Sequence, residues 1–170
     1  MGPDMKLSII IPLYNTEKYI GKCLLSTIEQ DIPATDCEVL VINDGSTDGS
    51  AAVVSKLSEQ YPNIILYTKE NEGLSLTRNY GIDRARGKYI MFLDSDDYLE
   101  GSSIGKLVEE MELHQLDMLL YDIRCVDDSG THIPSGYDRM AARNHTDVQS
   151  GKYLMKSGSY PPMIPSYTYR

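Results

Sequence analysis

The residues with the most chemical meaning lie in "KYIMFLDSDDYLE", Lys88 to Glu100. An apolar run, Tyr89 to Leu93, stops at Asp94, Asp96 and Asp97, three carboxylates within four positions. Like charges at that spacing repel unless a cation lies among them; acids that favour a helix start are the plain alternative. A hard divalent ion such as Mg²⁺ or Mn²⁺ takes carboxylate oxygens and leaves its other positions to water and phosphate. One or two of Asp94, Asp96 and Asp97 are therefore candidate ligands of a metal that arrives with a diphosphate. Arg78, in "NEGLSLTRNYGI", would clamp a diphosphate arriving with such an ion, against the bland reading of a surface helix residue. "NDGSTDGS" (Asn43–Ser50) is rich in turn and cap formers, and alone does not separate a binding loop from a structural turn.

The elements that position these residues alternate between two periodicities. "LSIII" (Leu7–Ile11) is a β-branched run stopped by Pro12, and Thr16 then caps a helix carrying Tyr19, Ile20, Cys23, Leu24 and Ile28 at helical spacing. "CEVLVIN" (Cys37–Asn43) is a second strand, followed by a helix with Val53, Val54, Leu57 and Tyr61 on one face. "NIILYT" (Asn63–Thr68) is a third strand, and a helix from about Ser75 to Ala85 follows, with Gly87 as its stop. "KYIMFL" is the fourth strand, Ile104, Leu107, Val108 and Met111 mark the next helix, and "MLLYDI" (Met118–Ile123) is the fifth strand. This order predicts an α/β fold, a Rossmann-like open and mostly parallel sheet with helices on both faces. Ligands of such sheets bind beyond the carboxyl ends of the strands. The loops there are "PLYN", "NDGSTDGS", "KENEGLSLTRN" and "DSDD", a polar, acidic cleft in which Arg78 is the single strong cation.

Composition narrows the classes. The chain has 170 residues, 41% apolar and 24% charged, which fits one globular domain or slightly more. Sixteen basic against 25 acidic residues give a net charge of −9, which argues against nucleic acid and anionic lipid as partners. No apolar run reaches the roughly 18–20 residues of a membrane span, and the N-terminus lacks a secretory layout. Cys23, Cys37 and Cys125 have no metal-ligand spacing, so reduced thiols and a cytoplasmic setting are expected.

Four ordered segments, "SIIIPLYN", "VLVINDGSTDGS", "NEGLSLTRNYGI" and "GKYIMFLDSDD", resemble the N-terminal part of family 2 glycosyltransferases with the GT-A fold, over about Met5 to Tyr121. The resemblance implies a nucleotide-sugar-binding core over 1–121 and the start of an acceptor-binding region over 122–170. It implies a nucleotide-diphosphate sugar as donor, commonly a UDP-sugar, and transfer with inversion to a hydroxyl of a saccharide or lipid-linked saccharide, as in glycan or polysaccharide biosynthesis. A full-length protein of this kind would sit in the cytoplasm or at the inner membrane face. Carried over by position, Pro12 and Tyr14 lie against base and ribose, and Asp44 accepts from the base. Asn71, Gly73 and Arg78 lie along the nucleotide, Arg78 nearest the phosphates. Asp94, Ser95 and Asp96 form the Asp-x-Asp signature that holds Mn²⁺ or Mg²⁺, Asp96 being the more direct ligand.

The same resemblance places a catalytic base in a Glu-Asp or similar motif after the Asp-x-Asp strand. No Glu follows Asp122, and the closing "YTYR" resembles the stretch just before that motif, so the base is expected beyond Arg170. Asp127, Asp128, Asp138 and Asp147 are the substitutes on offer. His114, His132 and His145 share no spacing, and Tyr153, Tyr160, Tyr167 and Tyr169 fit an acceptor groove or exposed core equally. Two other functions compete. An aspartyl phosphotransferase would carry its motif after the first strand, which here ends in "PLYN". A nucleotide-binding module without catalysis would look the same up to Tyr121.

Overall fold

The computed structural model describes residues 5–121, 123–134 and 167–169. Asp138, Asp147, His145, Tyr153 and Tyr160 lie outside the described residues, and Tyr167 and Tyr169 are described by backbone alone. The strands are β1 (Leu7–Leu13), β2 (Cys37–Asp44), β3 (Ile64–Lys69), β4 (Tyr89–Phe92), β5 (Met118–Leu120) and β6 (Tyr167–Tyr169). The helices are α1 (Glu17–Ile28), α2 (Ser50–Ser58), α3 (Leu74–Ile82) and α4 (Ile104–His114). They form one sheet in the order β3-β2-β1-β4-β6-β5. β1 to β4 are parallel, and β6 runs antiparallel between β4 and β5.

Every residue of β1 and β2 is buried, because helices cover both faces. Leu7, Ile9, Ile11, Val39 and Val41 pack with Ile20, Cys23 and Leu24 of α1, Val54 of α2 and Ile104, Val108 and Met111 of α4. The alternate residues Ile10, Leu40, Ile42 and Phe92 pack on the other face with Tyr80 of α3 and with Ala85. Each such aliphatic side chain contributes about 1.5–3 kcal/mol on burial.

Several expectations change on the structure. β1 does not stop at Pro12 but runs to Leu13, with Pro12 in register with Ile42. The Ile10 carbonyl accepts from Leu93 on the β4 side, so Pro12, two residues on, turns its nitrogen to the same side. β4 has already ended there at Phe92, so the missing N–H costs no ladder bond. α3 ends at Ile82 rather than Ala85. A sixth strand, unmarked by any long apolar run, enters between β4 and β5.

Gly87 has a different purpose from a helix stop. A Cβ there would run into the Ser8 nitrogen and the Leu7 carbonyl carbon, which are backbone and cannot swing away. The adjoining Glu38, 1% exposed within the apolar β2, accepts from Ser8 Oγ at 2.7 Å, Arg86 N at 2.7 Å and Arg86 Nη2 at 2.7 Å. This knot ties the α3–β4 connection to the bases of β1 and β2. Gly87→Ala is expected to lower stability by at least about 2 kcal/mol, within the range for overpacking. Chemical denaturation measures it, and an unchanged midpoint would contradict the close approach. Among the described residues, no helix is long and apolar enough to cross a membrane.

Candidate functional site

The four strand-end loops are cross-linked in a closed ring. The β1 loop meets the β2 loop where Asn15 N donates to Ser46 Oγ at 3.1 Å and Thr47 N donates to Asn15 Oδ1 at 2.8 Å. Asn15 takes φ 52°, a left-handed conformation its short polar side chain tolerates. The first turns of α1 and α2 also cap each other: Glu17 N donates to Asp48 Oδ2, and Gly49 N donates to Glu17 Oε2. The Thr16 hydroxyl, expected as the α1 cap, makes no cap bond and donates instead to Ser95 Oγ at 2.9 Å. That bond joins the β1 loop to the β4 turn.

The β2 loop meets the β3 loop through Asp44. Its carboxylate, 4% exposed, accepts from Lys69 Nζ at 2.5 Å, Glu72 N at 2.9 Å and Gly73 N at 2.9 Å. Burial alone would raise this carboxyl, but the hydrogen bonds from Lys69, the Glu72 and Gly73 amides and Thr77 outweigh it and hold it below the usual carboxylate range. Gly45, at φ 71°, lets Asn71 lie on the turn: a Cβ there would sit 3.1 Å from Asn71 N. Lys69 corrects the reading of Arg78 as the cleft's single cation.

Helix α3, which follows the β3 loop, meets the β4 turn where Arg78 Nη2 donates to Asp94 Oδ1 at 2.6 Å. Arg78 is nearly buried, its side chain 13% exposed, and its Nε has no hydrogen-bond partner among the described residues. α1 braces the turn from beneath. Cys23 Sγ lies 3.6 Å from the Asp94 carbonyl, and Leu99 N donates to Ser26 Oγ. Gln30 Oε1 and Asp31 Oδ1 accept the first amides of α4, from Ser103, Ile104 and Gly105. Burial, followed by the charges of Asp97, Asp96 and Asp94, raises the Cys23 thiol, so it is inert.

The acids at the rim are unequal. Asp94 is held by Arg78. Asp97 is pushed up to about 6, by desolvation first and then by Asp96 and Asp94. Asp96 is exposed, and among the described residues no hydrogen bond or ion pair engages its carboxylate. Among the described residues no three ligand-type side chains converge on one point. The Asp94 and Asp96 carboxylates are donors of the type a hard cation takes when water and phosphate complete its shell. Of the other expected residues, Pro12 in β1 and Ser95, itself a link of the ring, are buried, while Tyr14 (50% exposed), Asn71 and Gly73 are exposed.

Of the substitutes for a catalytic base, the two among the described residues, Asp127 and Asp128, are engaged elsewhere. Asp127 Oδ1 accepts from Ser129 N, Ser129 Oγ and Thr131 N within its own turn, and the Ser129 hydroxyl above all holds its carboxyl low. Asp128 pairs with Lys18 at 2.6 Å. Sequence reasoning missed Lys69, Glu38–Arg86 and the Gln30–Asp31 cap. The register Asp44↔Lys69 is the signal that would have revealed the first.

The chain matches the sequence model of the family described as Glycosyl transferase family 2 over residues 8–167, and it belongs to that family. The glycosyltransferase GlyA of Streptococcus pneumoniae is 39% identical over 115 residues, which cover 68% of this chain and 16% of GlyA. The poly(ribitol-phosphate) beta-N-acetylglucosaminyltransferase TarS of Staphylococcus aureus is 35% identical over 127 residues, 74% of this chain and 22% of TarS. The structure of S. aureus TarS 1-349 in complex with UDP-GlcNAc superposes with a TM-score of 0.79 at 30% identity, covering 98% of this chain and 45% of that one. The fold is thus that of the GT-A glycosyltransferases. The chain spans about a fifth or less of the length of these two curated relatives.

Proposed function

We propose that this chain binds a UDP-sugar at the strand-end ring and serves transfer of its sugar, with inversion, to a hydroxyl of a saccharide or lipid-linked saccharide. The observation that carries the reading is the ring itself, which sets an aromatic face, a buried acceptor, a nearly buried guanidinium and an open carboxylate along one rim. The relation to TarS, solved with UDP and with UDP-GlcNAc, supports the choice of nucleotide.

In this reading Tyr14 supplies a stacking face for the base and Asp44 faces its imide edge. Asn71 and Gly73 line the path of the nucleotide. Arg78 turns the N–H groups that Asp94 leaves over toward the diphosphate, where negative charge grows as the bond to the anomeric carbon breaks. Asp94 keeps the guanidinium in place, so this stabilisation needs no rearrangement when the bond breaks. Mn²⁺ or Mg²⁺, held by Asp96 with Asp94 beside it, supplies Lewis-acid neutralisation of the leaving group when bound. The acceptor hydroxyl attacks in line from the opposite face of the sugar, and its proton goes to a carboxylate base outside the residues assigned here. The setting in glycan or polysaccharide synthesis at the cytoplasmic side of a membrane belongs to the same proposal.

Calorimetric titration with UDP, CDP, GDP and ADP in the presence of Mn²⁺ tests the donor class. UDP is expected to bind at least about tenfold more tightly than ADP, the difference of one charge-assisted hydrogen bond to the base. Equal affinities would overturn the reading.

A further inference from the structure

Lys69 is a nearly buried lysine, its side chain 8% exposed, on the last residue of β3. Its ammonium has three protons and three acceptors: Asp44 Oδ1 at 2.5 Å, the Glu70 carbonyl at 2.9 Å and Glu72 Oε2 at 3.0 Å. None is left for a ligand, so Lys69 does not bind substrate directly. The three acceptors do belong to both sides of one junction. Asp44 closes β2, while Glu70 and Glu72 flank Asn71 in the loop before α3. The Glu72 and Gly73 amides complete the junction by donating to the same carboxylate.

We infer that Lys69 is the positioning residue of the base subsite: it fixes the Asp44 carboxylate and the Glu70–Gly73 loop in one arrangement, and thereby sets the preference for uridine nucleotides. The inference deepens the donor reading above and rests on it. Burial by itself would favour a neutral amine, but hydrogen bonds to Asp44 and Glu72 outweigh it and keep the ammonium charged. A hydrophobic side chain at position 69 would leave Asp44 buried with amides and a hydroxyl as its donors. The Glu72 and Gly73 amides would still hold the two carboxylate oxygens, but Asp44 would lose its cation, and the loop around Asn71 would lose the tie through the Glu70 carbonyl and Glu72 Oε2.

The test is calorimetric titration of the parent, Lys69→Met, Lys69→Arg and Glu72→Gln with UDP and with ADP, in saturating Mn²⁺. Lys69→Met is expected to lose about ten- to a hundredfold in UDP affinity, the value of a charge-assisted hydrogen bond, with ADP little changed. Lys69→Arg should keep the preference for UDP, since the charge remains. Glu72→Gln loosens only the exposed arm, is tolerated by the fold, and should shift the UDP-to-ADP ratio in the same direction by less. That variant carries the test if Lys69→Met does not fold. A parent-like UDP-to-ADP ratio in both Lys69→Met and Glu72→Gln overturns the inference and leaves the donor reading standing. A proportional loss of both nucleotides, with a lower melting temperature, also overturns it by showing a purely structural role. A parent that binds UDP and ADP alike overturns the donor reading and this inference together.

Discussion

Asp96→Ala is expected to abolish the Mn²⁺ enhancement of UDP binding. Asp96 is exposed, and among the described residues it has neither hydrogen bond nor ion pair, in contrast to Asp94, which Arg78 already holds. Asp96 is therefore the carboxylate that would hold a cation at the rim without giving up an ion pair. The turn around Asp96 is braced by Thr16, just before α1, and by Cys23 and Ser26 within it, so the substitution removes a carboxylate without loosening its support. Loss of partners that merely support a metal ligand costs about 10–100-fold in affinity, and loss of the ligand itself should reach at least about a hundredfold. UDP titrations with and without Mn²⁺ measure the effect. Equal enhancement in Asp96→Ala and parent would remove Asp96 from the metal site.

Arg78→Met should lower turnover of a UDP-sugar by about 10²–10³-fold, the cost of removing one preorganised donor from a developing oxyanion. Arg78 is held on one side by Asp94 and lies 5.7 Å from the Phe92 ring centroid, so its guanidinium is fixed before any substrate arrives. Its Nε is buried without a hydrogen-bond partner among the described residues, which suits a donor that pairs with a bound ligand or water. Lys at this position would not restore the rate, because a point charge cannot bridge Asp94 and a diphosphate as a planar fork does. Released UDP is the readout, with a thermal melt to show that the variant is folded. A folded Arg78→Met with parental turnover would exclude the assigned role.

Much of the fold could be read from the sequence because the strands are covered on both faces and so stand out as continuous apolar runs. The helices are legible for the opposite reason, a single apolar stripe. β6 escapes both signals: three residues at the far end of the sequence, placed by pairing with β4 and β5 rather than by their own pattern. The acidic turn was visible because three like charges after an apolar strand are costly without a partner. The polar pairs that organise it were not. Lys69 reads as one more charge in "KENEG" until the β2–β3 register places it beside Asp44. Glu38 looks like an interruption of a strand until Arg86, 48 residues on, supplies its partner. Gly87 falls where a helix stop is plausible, and its contact with β1 becomes apparent only from the sheet order. Such tertiary pairs depend on register, which local periodicity does not encode.

The central claim is that a uridine diphosphate and a divalent cation occupy the ring formed by the four strand-end loops. Crystals grown with UDP and Mn²⁺, measured at a wavelength where manganese scatters anomalously, test it directly. The account predicts an anomalous peak in contact with the Asp96 carboxylate and the diphosphate, with the base against Tyr14 and its imide edge toward Asp44. A nucleotide bound elsewhere, or a manganese peak away from the Asp94–Asp96 turn, would contradict it.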